Sequence, residues 1–158
     1  MNTSRDLLRH ALATLAYRGG KALRAAPAEF AEFRICETSR TAGRILSHLG
    51  DLMEWSLSVA RGEETWRDSK SLDWEQGIAR FYAALAALDA YLASDAPLHV
   101  APERLFQGPI ADALTHVGQL KMMRRAAGGP VRGENYFVAE VAVGRVGMDQ
   151  AAPKKEFD

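Results

Sequence analysis

Two histidines and an aspartate have the types and spacing from which a metal site can be built. His48 follows Ile45 by three residues and precedes Leu52 by four, which on a helix turns the imidazole toward the apolar face. Asp112 and His116 are four apart and would be neighbours on one helical face, with Gln119 a turn further and Ala113 and Leu120 flanking the row. A pair at this spacing offers two donor atoms from one helix. A third donor from a facing helix would give a three-ligand centre with positions left for water or substrate, and His48 is the natural third. A blander reading competes. A histidine on an apolar helical face is more often a hydrogen-bonded core residue than a ligand, and an i,i+4 Asp–His pair is commonly a simple side-chain contact. Spacing alone does not make the two helices neighbours.

Other residues offer less. His10 and His99 lack partners at ligand spacing. Asp51, three residues after His48, could hold the second imidazole nitrogen only if the geometry allowed it. Trp55, two turns beyond His48, could wall a pocket or simply fill core. Cys36, the single cysteine, belongs to no Cys/His/Asp pattern and reads as a small buried residue. One cysteine forms neither an internal disulfide nor a thiolate zinc cage, so any metal must rely on imidazole and carboxylate. Neither a phosphate-binding glycine loop nor a nucleophile-elbow serine is present, which argues against nucleotide binding and serine hydrolysis.

These residues must be positioned by helices. Leu8, Ala11, Leu12 and Leu15 predict a first helix from about Ser4 to Leu23, its last turns weakened by Gly19 and Gly20. Phe30 and Phe33, beyond Pro27, suggest a connecting segment whose rings pack onto the bundle, with room for a short helical turn. Thr38 or Ser39 can cap a second helix carrying Ile45, Leu46, Leu49, Leu52, Met53 and Leu57, ending near Gly62. Gly62 to Ser69 reads as a loop. With Ser71 as cap and Asp73 and Glu75 in an acidic first turn, a third helix carries the seam Trp74, Ile78, Phe81, Leu85, Leu88 and Leu92, and ends before Pro97. Gly108-Pro109 would open the fourth helix with proline in its first position, and Gly128-Gly129-Pro130 would close it. Beyond it only a short turn near Asn135 to Ala139 is expected, followed by a frayed end. The fold class is therefore all-α, a single domain (1–158) built as a four-helix bundle with long connections and an irregular C-terminal segment.

Composition agrees with a compact chain. Of 158 residues, 47% are hydrophobic, and 20 basic against 20 acidic residues leave no formal net charge. That excludes disorder and gives no long-range field for holding nucleic acid. The opening residues do not resemble a signal peptide, and even the apolar stretch Phe81 to Ala93 is too short to span a membrane and contains Asp89. A cytoplasmic protein is expected.

The stretches Ile45-Leu46-Ser47-His48-Leu49-Gly50-Asp51-Leu52 and Pro109-Ile110-Ala111-Asp112-Ala113-Leu114-Thr115-His116-Val117-Gly118-Gln119-Leu120 resemble the DinB-like (DinB/YfiT type) superfamily of helical metalloproteins. In that family a histidine on the second helix and an H-x-x-x-H pair on the last long helix commonly bind a divalent metal. His48 and His116 match the pattern, while Asp112 stands where the first histidine of the pair is usual. The resemblance implies a metal site of His48, Asp112 and His116 holding zinc, nickel, iron or manganese. It also implies a thiol-dependent transferase using a low-molecular-weight thiol, or a hydrolase, acting on a small-molecule substrate, and a homodimer. A non-catalytic bundle that keeps a structural or sensing metal site is the rival reading. Asn135, Tyr136 and Arg145 are further expected to form a segment that folds over the site and orients an anionic reactant, or else merely to cover core.

Overall fold

The computed structural model describes residues 3–157, and it is an all-α bundle with a two-strand ribbon near its C-terminal end. Helices α1 (Thr3–Leu23), α2 (Ala42–Ala60) and α3 (Trp74–Ala93) pack with a fourth rod. That rod consists of α4 (Pro102–Leu105), a π turn (Phe106–Ile110) and α5 (Ala111–Ala126). None of these helices is long and apolar enough to cross a membrane.

The expected seam of α3 is buried throughout: Trp74, Ile78, Phe81, Leu85, Leu88 and Leu92. Its neighbours in the core are Leu12 and Leu15 from α1, Leu46, Leu49 and Met53 from α2, and Val117 and Leu120 from α5. Gly19 and Gly20 do not weaken α1, which runs through them to Leu23. A Cβ at Gly19 would lie 3.2 Å from the Phe81 ring, so the missing side chain lets α1 approach α3 closely. Phe30, on a 3₁₀ turn over Ala28–Glu32, packs edge-on against Trp74 with ring centroids 5.2 Å apart.

The ends differ from expectation in instructive ways. Thr41, not Thr38 or Ser39, caps α2, its hydroxyl accepting the Arg44 N–H; Ser39 instead binds its own loop, accepting the backbone N–H groups of Ile35 and Cys36. Asp73 rather than Ser71 caps α3 by accepting from the Gln76 N–H at 2.9 Å. The fourth rod starts at Pro102, and Pro109 lies inside its π turn. A wider turn spares the proline ring its clash with the preceding turn and tolerates the missing N–H. Cys36 is exposed, not buried, because the whole segment around it runs over the surface. The C-terminal end is paired: Gly133 faces Phe157 and Glu134 faces Glu156 in an antiparallel ribbon, β1 (Gly133–Glu134) with β2 (Glu156–Phe157). The short turn expected near Asn135 is a 3₁₀ turn, Tyr136–Val138.

Ion pairs fasten the helices at three places. Arg9 on α1 holds Asp89 on α3 with two bonds of 2.9 and 3.1 Å. Arg80 on α3 holds Asp51 at 2.6 Å and Glu54 at 2.8 Å, both on α2. Lys21 on α1 joins Glu134 and Glu156, each at 2.7 Å. Burial pushes the Asp51 carboxyl up, but hydrogen bonds from Arg80 and Ser69 more than offset it and hold its pKa below the usual value. A carboxylate held low stabilises the fold above its unfolded pKa of about 3.9 and loses that contribution as pH falls through the folded value. Asp51→Asn should therefore lower stability by about 1–2 kcal/mol near neutral pH. Urea denaturation should show that difference shrinking as pH falls below about 4 toward the lower value at which the folded parent's carboxyl protonates.

Candidate metal centre

α2 carries His48 on the turn after Ile45, and α5 carries Asp112 and His116 in its first two turns, immediately beyond the π turn. The bundle makes these two helices neighbours, which spacing alone could not show. One donor atom from each of His48, Asp112 and His116 lies within 4.8 Å of the others. His48 Nε2 is 3.4 Å from Asp112 Oδ2, and His116 Nδ1 is 3.3 Å from Asp112 Oδ1. The imidazole centroids are 4.7 Å apart.

His116 Nδ1 also lies 2.9 Å from the Asp112 main-chain carbonyl oxygen. A carbonyl only accepts, so this contact places the proton on Nδ1 and leaves the Nε2 lone pair free. An imidazole that gives its second N–H to a carbonyl is oriented as metal-bound histidines usually are. Burial lowers the His48 pKa, and nearby His116 and Arg40 act in the same direction against the opposing pull of Asp112. The neutral ring, the form that ligates, is favoured.

The donor set fits a divalent ion. With metal–donor distances of about 2.0–2.2 Å, donors sharing one ion sit about 3 to 3.5 Å apart. His48 Nε2 and Asp112 Oδ2 already stand 3.4 Å apart, and His116, its Nδ1 held by the carbonyl, would complete the set by turning its Nε2 toward them. Two imidazoles and a carboxylate suit zinc, nickel, iron and manganese alike. The site opens into a groove of about 560 Å³ that also touches Ile45, Gln119 and Met123.

Trp66 is the neighbour that sequence reasoning missed. It stands edge-on to His48 at 5.8 Å and to Trp55 at 5.8 Å. It sits in the polar connection after Gly62, where a single aromatic has no period to reveal it. The connection is tied down: Asp51 accepts the Ser69 N–H, Arg44 and Ser47 donate to the Ser69 carbonyl, and Thr65 donates to Ser58. Asp51 is thus engaged with Arg80 and Ser69 and makes no bond to His48. Trp55 braces Trp66 and does not line the metal groove.

The segment after α5 lies elsewhere. None of residues 133–157 lines the groove. Tyr136 packs on α1 and α5 with Arg18 over its ring at 4.1 Å and Lys121 donating to its hydroxyl at 2.6 Å, while Asn135 caps the local turn. Phe137 is 96% exposed, and the Arg145 carbonyl accepts from Gln150. Tyr136 therefore covers bundle surface, and neither Asn135 nor Arg145 folds over the His–Asp–His cluster. His10 is exposed, and the His99 ring packs against Gly62. Set against known family models, curated proteins and solved structures, the chain finds no match in any of the three comparisons.

Proposed function

We propose that this chain is a divalent-metal-dependent enzyme acting on a small molecule, with His48, Asp112 and His116 as the protein ligands. The observation that carries the reading is the placement of three donors together in the lining of an open groove. A structural centre is ordinarily closed by four protein ligands, whereas three ligands with an accessible side leave room for a reactant. Such a metal lowers the pKa of a bound water or thiol and so supplies a nucleophile near neutral pH. The chain contributes the rest. The Asp112 carbonyl fixes the His116 tautomer, burial favours the neutral form of His48, and Trp66 stands edge-on to the His48 ring.

The DinB-like resemblance of the two helical stretches adds a reaction class: a thiol-dependent transferase with a low-molecular-weight thiol as co-reactant, or a hydrolase. A non-catalytic bundle with a structural or sensing metal is the alternative, and the open groove favours the enzyme. Elemental analysis of protein purified without an affinity tag tests this reading. The expected result is about one zinc, nickel, iron or manganese ion per chain, the identity following availability. Metal-free protein that takes up none of these ions on dialysis would overturn it.

The proposal extends to a cytoplasmic homodimer that binds neither nucleic acid nor membrane. Large apolar side chains left exposed away from the groove, among them Leu7 and Phe106, are what a partner copy would cover. Sedimentation velocity at micromolar concentration should give twice the chain mass, and a single-chain mass would remove the dimer.

A further inference from the structure

We propose that the metal groove is built for a small organic anion, a carboxylate with an apolar body, and that Arg40 receives its charged group. This rests on the metal reading for the position of the reacting end, and on the groove itself for the rest. Arg40 lines the groove together with the three donors. Among the described residues its guanidinium has neither a hydrogen bond nor an ion pair. Other arginines close by are committed. Arg44 donates to the Ser69 carbonyl and lies 3.7 Å from Asp68, and Arg80 is held by Asp51 and Glu54. The planar fork of Arg40 is thus left for an acceptor from outside the chain, and a carboxylate matches its geometry with two parallel bonds.

Charge points the same way. Among the described residues, Asp112 is the one carboxylate lining the groove, and its oxygens face His48 and His116. Against a divalent ion and a guanidinium, a single carboxylate leaves the groove positive, so an anion is drawn in and a cation repelled. The remaining walls ask for an apolar body. Ile35 is 55% exposed and Met122 is 65% exposed, and with Ile45 and Met123 they give the groove an apolar lining. Methionine side chains adapt to different shapes, and about 560 Å³ lies within the range that holds small organic ligands.

The loop that offers Arg40 is ordered before any ligand arrives. Ser39 Oγ accepts the backbone N–H groups of Ile35 and Cys36 and donates to the Cys36 carbonyl at 3.0 Å. The Ala42 N–H then reaches the Phe33 carbonyl at 2.9 Å, closing the segment just before α2 begins. Arg40 is therefore presented from a fixed backbone, which reduces the ordering needed on binding.

Calorimetric titration with octanoate, octanol and octylammonium, on the zinc-loaded chain and on the chain stripped with EDTA, tests the proposal. Octanoate should bind, and the uncharged and cationic probes should bind far more weakly or not at all. Arg40→Gln should weaken octanoate by about five- to tenfold, a modest factor because an exposed guanidinium is screened by solvent, with zinc content unchanged. Arg40→Lys should fall between the two. Equal octanoate affinity in the parent and Arg40→Gln, or octanol binding as tightly as octanoate, overturns the anion proposal and leaves the metal reading standing. A parent chain that takes up neither zinc nor nickel, iron or manganese overturns the metal reading instead. The stripped chain then decides about Arg40 alone: Arg40-dependent octanoate binding supports its role, and the lack of it removes that role.

Discussion

Replacing His116 with alanine should weaken divalent-metal binding by at least about a hundredfold, so that protein purified without a tag carries almost none. The size of the effect follows from how completely this ring is prepared. Its side chain is 11% exposed, its Nδ1 proton is held by the Asp112 carbonyl, and its Nε2 is left as a donor. Little remains to be ordered on binding, so its loss forfeits the bond itself with no compensating gain in freedom. Asp112→Ala is the useful companion. It removes the carboxylate but keeps the main-chain carbonyl that orients His116, and so separates ligation from orientation. Asp112→His should retain a site while shifting preference from ions that favour oxygen, such as manganese, toward zinc and nickel. Thermal unfolding with and without added zinc gives an independent readout. The parent melting temperature should rise with zinc by mass action, and that of His116→Ala should not. Full metal content in His48→Ala, Asp112→Ala and His116→Ala alike would sink the assignment.

Lys21→Met should destabilise the fold by about 3 kcal/mol, a fall in melting temperature of roughly 6–12 °C for a chain of this size. Glu134 explains why. Its side chain is fully buried, where it accepts from the Tyr17 hydroxyl at 2.5 Å and from Lys21 at 2.7 Å. Removing the ammonium leaves a buried carboxylate with a phenol as its remaining side-chain donor, and an uncompensated buried charge is the expensive case. Burial and this carboxylate both push the Tyr17 hydroxyl well above the usual tyrosine range, so it remains a donor throughout the accessible pH range. The double variant Lys21→Met with Glu134→Leu should recover much of the loss, because the stranded charge goes with its partner. Urea unfolding of the two single variants and the double variant measures this directly. A double variant no more stable than Lys21→Met would show that Lys21 acts through packing of its stem.

How far the sequence could be read depended on whether each feature repeats. The α3 seam from Trp74 to Leu92 repeats over five turns, and every one of its positions is buried as expected. His48, Asp112 and His116 were legible as candidates because each is locked in phase with an apolar stripe, and the bundle brings them together. What failed had no period. Trp66 is one aromatic in a polar connection, and its contact with His48 depends on the hydrogen bonds that pin residues 65 to 69. The ribbon of Gly133 and Glu134 with Glu156 and Phe157 is two residues per strand, too short for alternation to register. Pro109 was misread because proline opens helices far more often than it sits within a widened turn. The true start, Pro102 with Glu103 in the first turn, carries the same kind of signal seven residues earlier, but the Gly108-Pro109 pair interrupts the apolar pattern between them. The C-terminal segment had the residue types of a substrate loop, but its direction is set by the β1–β2 pairing and by Tyr136 settling beside Tyr17 and Arg18.

The π turn also bears on how the length of this chain can vary over evolutionary time. Each residue inserted into or removed from a regular α-helix rotates everything beyond it by about 100°. α5 is anchored by Ala113, His116, Val117, Leu120 and Met123, whereas the four residues of α4 bury only Leu105. A residue gained or lost within α4 can therefore be taken up at Phe106–Ile110, with α4 rotating and α5 keeping its phase. Asp112 and His116 are thereby insulated from indels upstream. Descendants of this chain can remodel the approach to the bundle while the three donors stay in register.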